Sequence, residues 1–203
     1  MTQLVHATTT LSDRVEIGGD CYIGPYCILG GPGFQHRDWG VAEFASGDGL
    51  PTRVGAGFRM LGFGAVGAGS ILGARVRCDF HAVIGEQCQV GDDVVLEYGA
   101  RVYDSCVIGD ECTVGGFVCN DAVIGSGSVV QGALVHKRTS KPPEAAPVLG
   151  NRVFIGTHAV VIGGVVVADD SFIAAGAVVT VDTESGYLYA GVPARRIGRR
   201  SWM

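Results

Sequence analysis

A branched aliphatic side chain recurs every six residues between positions 149 and 181 of this chain. Its members are Leu149, Ile155, Val161, Val167, Ile173 and Val179. Counted from each of them, the fifth position is small or β-branched, as in Ala159 and Ala177. A period of six fits neither an amphipathic helix nor an ordinary alternating strand. It is typical of a parallel β-helix, in which each hexapeptide forms one short strand and a turn, and three hexapeptides close one triangular coil.

The same period predicts a β-helix over residues 15–181, interrupted by two loops. The first loop spans residues 31–52, and the second, at residues 136–147, contains two adjacent prolines that cannot continue a strand. Between Val114 and Ile124 the spacing is ten residues instead of twelve, and we place this slip near the segment NDAVIG. Residues 1–14 are predicted to cap the open end of the helix, and residues 182–203 to form a basic C-terminal tail.

Composition narrows the class of protein. The chain has 33 glycines among 203 residues, 47% hydrophobic residues and a formal net charge of −5. The aliphatic content argues against disorder, and the acidic balance argues against a general nucleic-acid binder. No apolar run reaches the roughly 18 residues of a membrane span, and the first residues lack the apolar core of a signal peptide. We therefore expect a cytoplasmic protein with no membrane partner.

Five of the seven cysteines occupy the fifth position of a hexapeptide, where a small inward side chain is expected. These are Cys21, Cys27, Cys88, Cys106 and Cys112. The sequence contains no CxxC pair, so we predict core packing for this set, without disulfides and without a metal. Cys78 and Cys119 fall outside the pattern, and the pattern does not explain them.

The segment IGTHAVVIGGVVVADDSFIAAGAVVTVD, followed by AGVPARRI, resembles the C-terminal signature of the hexapeptide-repeat acyltransferases. The resemblance covers roughly residues 15–198 and looks closest to amino-sugar and nucleotide-sugar acetyltransferases. It implies a left-handed β-helix, a homotrimer, and an acetyl-CoA site in the cleft between neighbouring subunits. A small-molecule acceptor, an amino sugar or a nucleotide-linked sugar, is the implied second substrate.

Matched motif by motif, the residues that contact the coenzyme in that family fall on Thr157, Ala175, Thr180 and Arg195. Small side chains leave room for the pantetheine arm along the backbone, and arginine binds phosphate. The family often has lysine where this chain has Val181. The arginines that follow, Arg196, Arg199 and Arg200, are candidates to replace it.

Acetyl transfer from a thioester needs a base that takes a proton from the attacking amine or hydroxyl, and histidine suits this role near neutral pH. His136 begins the second loop. The galactoside acetyltransferases, to which the sequence has a more distant similarity, place their catalytic histidine there. His81 lies in a mid-helix coil, where sugar N-acetyltransferases of this fold often carry a base. Both remain candidates. We expect the two side chains to lie too far apart to touch within one subunit.

The first loop is the candidate acceptor site. It carries Phe34, His36, Arg37 and Trp39, which would stack on a substrate ring and contact an anionic group. The alternative is that these aromatics simply fold back on the β-helix. Asn120 would orient the acceptor or the base, although a corner that needs turn-forming residues explains it equally well.

Two other functions remain to be weighed. A zinc enzyme of the γ-carbonic anhydrase type would need histidines about two coils beyond His81, and residues 111–125 contain none. A non-catalytic scaffold or ligand-binding module is the remaining alternative, and it predicts no turnover. The basic tail and the VVT…GVPAR ending favour the enzyme.

Overall fold

The computed structural model of the chain describes residues 3–31, 50–137 and 145–200. Over these ranges the chain forms short β-strands and no α-helix, so none of them contains a helix able to cross a membrane. The strands lie in three sheets, which we name faces A, B and C and which follow one another in that order in each coil. This all-β architecture is the parallel β-helix that the period of six predicts, and it is consistent with a left-handed coil.

Each face stacks one strand per coil, and face B, with nine strands, gives about nine coils. Face A consists of β1 (Gln3–Val5), β4 (Cys21–Ile23), β7 (Arg59–Met60), β10 (Arg77–Cys78), β13 (Val95–Leu96), β16 (Thr113–Val114), β19 (Val129–Val130), β22 (Phe154–Ile155), β25 (Phe172–Ile173), β27 (Tyr187–Ala190) and β28 (Arg195–Arg199). Face B consists of β2 (Thr10–Leu11), β5 (Ile28–Gly31), β8 (Ala65–Gly67), β11 (Val83–Ile84), β14 (Arg101–Val102), β17 (Phe117–Val118), β20 (Ala133–Val135), β23 (Val160–Ile162) and β26 (Val178–Val179). Face C consists of β3 (Val15–Ile17), β6 (Thr52–Val54), β9 (Ile71–Leu72), β12 (Gln89–Val90), β15 (Val107–Ile108), β18 (Val123–Ile124), β21 (Val148–Leu149) and β24 (Val166–Val167).

The recurring aliphatic side chains fill the centre of the helix. All six in the segment 149–181 are at most 1% exposed. The one polar side chain at a fifth position there, Ser171, is also buried, and its hydroxyl lies 3.0 Å from the Thr183 hydroxyl in a hydrogen bond. The core is therefore a continuous apolar column whose few polar groups are satisfied, as buried polar groups must be.

All seven cysteines are free and buried, which confirms the predicted core packing of the five at fifth positions. Cys78 ends β10 and stands at the recurring aliphatic position, six residues after Leu72. Cys119 follows β17 and is 5% exposed. Burial raises the pKa of the Cys78 thiol to about 12 and that of the Cys119 thiol to about 12, so both behave as small apolar side chains near neutral pH.

The position of the register slip differs from the prediction. Val118 and Ile124 keep the normal spacing of six, so the segment NDAVIG is regular. The two missing residues belong to the preceding turn, where only Gly115 and Gly116 link β16 to β17. One coil later, Gln131 and Gly132 link β19 to β20 in the same shortened way. Two successive coils therefore have a shortened turn, of only two residues, at the corner between faces A and B.

Both ends of the chain also differ from the predicted cap and tail. β1 and β2 pair in parallel with β4 and β5, so residues 3–11 form part of the first coil. At the other end, β27 continues face A and β28 returns antiparallel to it. Tyr189 of β27 is 6% exposed, and its hydroxyl accepts a hydrogen bond of 2.8 Å from the Glu184 amide. This C-terminal hairpin closes the last coil instead of hanging free.

The shortened corner makes a stability prediction. A Cβ atom added at Gly116 would collide with the Gly132 carbonyl oxygen, whereas one added at Gly198 would meet nothing within 4 Å. Because the collision is with backbone, Gly116→Ala is expected to lower the free energy of unfolding by about 1–3 kcal/mol. Gly198→Ala, the matched control, should leave it unchanged. Chemical denaturation measures both, and equal stability of the two variants would contradict the tight approach of these coils.

Candidate functional site

The predicted site residues lie at two corners of the β-helix. The AB corner, between faces A and B, carries His81, Thr157 and Ala175. The BC corner, between faces B and C, carries Asn120, His136 and Thr180. Arg195 and Arg196 lie in β28 of the C-terminal hairpin. Phe34, His36, Arg37 and Trp39 lie outside the described residues.

His136 is held in place by the neighbouring coil. It follows β20, and the pairing of β20 with β17 sets it directly above Asn120. The His136 Nε2 donates a hydrogen bond of 2.8 Å to the Asn120 carbonyl oxygen, and the ring is half-buried. A carbonyl only accepts, so this bond assigns the proton of a neutral ring to Nε2 and leaves the lone pair on Nδ1. An imidazole oriented in this way has the tautomer that a general base needs.

Thr180 shares the BC corner with His136. Val135, next to His136, stacks on Ile162, and Val161 stacks on Val179, the neighbour of Thr180. Thr180 therefore lies about two coils from His136, or roughly 10 Å along the helix axis. The structure brings this predicted coenzyme residue and this predicted base to the same edge of face B.

His81 has a different environment. Its backbone is left-handed, with φ 62°, and its ring stacks on Phe63 at a centroid distance of 5.3 Å. Tyr98 meets the His81 ring edge-on at 5.5 Å, and Phe63 stacks on Tyr26 at 5.1 Å. We call this row, Tyr26, Phe63, His81 and Tyr98, the aromatic ladder. Sequence reasoning found only His81, although Phe63 stands eighteen residues before it and the stacking period could have revealed the pair.

A cavity of about 330 Å³ lies across face B beside the ladder. Its lining residues are Phe63, His81, Val83, Arg101, Val102 and Tyr103. Phe63 and His81 form its AB edge, and Tyr103 forms its BC edge, where its ring packs against Phe117 at 5.0 Å. The cavity combines aromatic walls with one guanidinium group. Of the lining residues, the sequence had singled out His81 alone.

The two candidate bases do not meet within one chain. His81 lies three coils below His136 and at the opposite edge of face B. Three coils correspond to roughly 14 Å along the axis. The two side chains therefore belong to different parts of the surface, as their sequence spacing predicted.

The predicted coenzyme residues lie around the C-terminal end of face B, which we call its upper end. Thr157 and Ala175 are exposed and lie one coil apart, where the Gly176 amide donates a hydrogen bond of 3.0 Å to the Thr157 carbonyl. The Ala194 amide donates a hydrogen bond of 2.7 Å to the Val178 carbonyl, which anchors the turn before Arg195 on face B. Small exposed side chains at this corner leave the backbone open to an elongated ligand.

The hairpin arginines are not equivalent. Arg196 forms a salt bridge of 2.7 Å with Glu184 and lies 4.7 Å from the centre of the Tyr187 ring. Arg199 lies over the same ring at 5.1 Å. Arg195 is exposed, and its guanidinium donates to the Ala194 carbonyl at 3.0 Å without a carboxylate partner among the described residues. Arg195 therefore has the charge most available to a phosphate.

Within the described ranges, no group of three or more histidine, cysteine, aspartate or glutamate side chains is arranged to hold a metal ion.

Comparisons with known proteins find similar repeats, sequences and folds. Residues 146–180 match the family model "Bacterial transferase hexapeptide (six repeats)". The serine acetyltransferase of Mycobacterium tuberculosis is 32% identical over 183 residues, which are 88% of this chain and 62% of that protein. A 2,3,4,5-tetrahydropyridine-2,6-dicarboxylate N-acetyltransferase of Staphylococcus aureus is 39% identical over 79 residues, or 38% of this chain and 30% of that protein. The chain thus spans less than two thirds of either relative.

Among solved structures, the UDP-N-acetylglucosamine acyltransferase of Campylobacter jejuni has a TM-score of 0.61 at 14% identity, covering 96% of this chain and 74% of that one. At that identity the likeness concerns the fold alone. The coils and the matched repeats give the chain the fold of the class of hexapeptide-repeat β-helix proteins. Its sequence is similar to acetyltransferases within that class.

Proposed function

We propose that this chain transfers an acetyl group from acetyl-CoA to an amine or hydroxyl group of a small acceptor. The observation that carries the proposal is the 32% identity to a serine acetyltransferase over 88% of the chain. The aligned region of 183 residues extends well beyond the repeats matched at residues 146–180.

His136 acts as the general base. Its Nδ1 takes the proton from the acceptor while the acceptor's nitrogen or oxygen attacks the thioester carbonyl carbon. Backbone N–H groups stabilise the oxyanion of the tetrahedral intermediate. The intermediate then collapses, the carbon–sulfur bond breaks, and the protonated His136 returns the proton to the departing thiolate. The Asn120 carbonyl keeps the ring oriented by accepting from Nε2 at 2.8 Å.

The upper end of face B holds the acetyl donor. Thr157, Ala175 and Thr180 are all exposed, so the pantetheine arm lies against the backbone without displacing a bulky side chain. Arg195, which lacks a carboxylate partner among the described residues, binds a phosphate of the coenzyme. Arg196 is a weaker candidate for that contact, because Glu184 already compensates its charge.

The acceptor is an amino sugar, free or nucleotide-linked, in line with the subgroup that the sequence resembles. A second candidate is an amino acid. The names of the two sequence relatives favour it, because one refers to serine and the other to a dicarboxylate. The working unit is a homotrimer, as the family resemblance implies, and a row of exposed aliphatic side chains on face C offers a surface for association.

A thiol-release assay tests the proposal. The purified protein is incubated with acetyl-CoA and, in turn, with glucosamine, a UDP-linked amino sugar and L-serine. Acceptor-dependent release of free thiol is the expected result. Binding of coenzyme A without release for any acceptor would favour the non-catalytic ligand-binding module instead. Absence of both binding and release would reject the coenzyme A site.

A further inference from the structure

We propose that the face B cavity recognises the acceptor through an anionic group. Arg101 binds that group, and the rings of Phe63 and His81 pack against a flat face of the same molecule. The inference rests on the proposed function, because it names the acceptor's site, but its ligand contacts are separate from those of the coenzyme.

Among the residues that the structure describes, no carboxylate forms a salt bridge with Arg101. Several arginines of the β-helix form a salt bridge with an acidic side chain among the described residues. The pairs are Arg53 with Glu16, Arg59 with Asp20, Arg75 with Asp93, and Arg152 with Asp170. In contrast, the cross-strand neighbours of Arg101 are Val83 and Phe117. A guanidinium flanked by apolar side chains and exposed to a cavity is a suitable partner for a phosphate or a carboxylate.

The pairs elsewhere show what Arg101 lacks. Arg75 makes two hydrogen bonds to the Asp93 carboxylate, at 2.7 and 2.6 Å. The bond to Arg75 lowers the pKa of Asp93 below its ordinary value. A fork that binds a carboxylate in this way inside the chain can bind one from a ligand in the same geometry. Arg101 instead lines the cavity, and no carboxylate of the described residues forms such a pair with it.

The aromatic ladder supplies the flat surface. Tyr26, Phe63 and Tyr98 are 58%, 48% and 68% exposed, so their rings are not needed to fill the core. Consecutive rings lie 5.1 to 5.5 Å apart, which keeps the row continuous along the AB corner. Aromatic faces of this kind pack against bases and against the apolar faces of sugar rings. The ladder adjoins Arg101 through the cavity wall formed by Phe63 and His81.

The dimensions agree with a small-molecule site. A volume of about 330 Å³ lies at the lower end of the range for ligand pockets.

Asn120 stacks on Asp104, the neighbour of Tyr103, and His136 stacks on Asn120. His136 thus stands two coils, or roughly 10 Å, above the BC edge of the cavity. An acceptor anchored at Arg101 reaches His136 of its own chain only if it is longer than a single amino acid.

Arg101→Met and Arg77→Met form a matched pair for the test. Both arginines are exposed, begin a strand and have no carboxylate partner among the described residues, but only Arg101 lines the cavity. Isothermal titration calorimetry measures binding of uridine diphosphate, L-serine and glucosamine. We expect one anionic probe to bind, and its affinity to fall by about 10- to 100-fold in Arg101→Met, the loss expected for a hydrogen bond to a charged group. Arg77→Met should match the wild type.

Uridine diphosphate and L-serine, the two probes that carry an anionic group, distinguish phosphate from carboxylate recognition. Binding of uridine diphosphate supports a nucleotide-linked acceptor, and binding of L-serine supports an amino acid. Glucosamine binding as tightly as either anion, failure of both anions to bind, or equal affinity in Arg101→Met and the wild type would overturn the proposal. Absence of thiol release despite binding of an anionic probe rejects the enzymatic activity while the cavity assignment stands.

The role of His81 is tested separately. His81→Phe keeps a ring that stacks on Phe63 but removes both nitrogens, whereas His81→Ala removes the ring. If His81 positions the acceptor by packing, His81→Phe keeps kcat and the acceptor KM within about twofold, and His81→Ala raises KM by about tenfold, the cost of losing one stacked ring. Loss of turnover in His81→Phe would overturn this role and make His81 the base.

Discussion

Replacing His136 with glutamine is expected to lower kcat for acetyl transfer by about 100- to 10 000-fold, the usual contribution of a general base. Glutamine can still donate to the Asn120 carbonyl, so the local hydrogen bond is kept while the basic nitrogen is lost. The KM for acetyl-CoA should remain within about twofold, because Thr157, Ala175 and Arg195 are untouched. Steady-state thiol release gives both constants.

His6→Gln is the matched control for this variant. His6 is an exposed histidine of the first coil, and its Nδ1 lies 2.9 Å from the Thr8 hydroxyl. Its loss should leave kcat and KM as in the wild type. Retention of full kcat by His136→Gln, with a thermal midpoint equal to that of the wild type, would show that His136 is not the base. The proton acceptor would then have to be sought at His81.

The architecture was predictable from the sequence because the six-residue period is local. Each aliphatic residue needs only the core that its own coil supplies, so the pattern holds wherever the coils are regular. The position of the slip was not predictable in the same way. Between Val114 and Ile124 the missing residues could belong to either corner, and only the strand bounds, with Gly115 and Gly116 alone between β16 and β17, assign them.

The candidate site was predictable only in part. Motif matching named Thr180 and His136, and the stacking of β20, β23 and β26 places them at one corner. It also treated Arg196 as interchangeable with its neighbours, whereas Glu184 pairs with it across a turn of eleven intervening residues. The stacking of Tyr26 on Phe63 was hidden because the loop at residues 31–52 separates them, whereas Phe63 and His81 keep the eighteen-residue spacing.

An exposed apolar surface on face C is the basis of the second prediction. Five aliphatic side chains point outward from its strands, and nothing within the described residues covers them. They are Ile71, Val107, Val123, Val148 and Val166, with exposures of 47%, 41%, 36%, 38% and 46%. The strands stack in register, so these side chains form one flat row, which we call the face C row and which Gln89 of β12 interrupts between Ile71 and Val107. A flat apolar surface that recurs on each copy favours association of several copies around an axis.

Val107→Lys is expected to convert the proposed trimer into monomers. The lysine would place an unpaired charge in the middle of the face C row. Burying this uncompensated charge between two copies would weaken their association by about 3–5 kcal/mol. Leu4→Lys is the matched control, because Leu4 is 59% exposed on face A and undergoes the same apolar-to-charged change. Analytical ultracentrifugation measures the mass of each variant, and only Val107→Lys should sediment as a monomer.

The same variant connects assembly to chemistry. The BC corner that carries His136 is also the edge of face C, so a copy seated on the face C row approaches that histidine. If the coenzyme and the acceptor meet in a cleft between copies, Val107→Lys should lose turnover together with its trimeric mass, whereas Leu4→Lys should keep both. A wild-type protein that sediments as a monomer would refute the trimer. A monomeric Val107→Lys with full kcat would show that one chain holds the complete site.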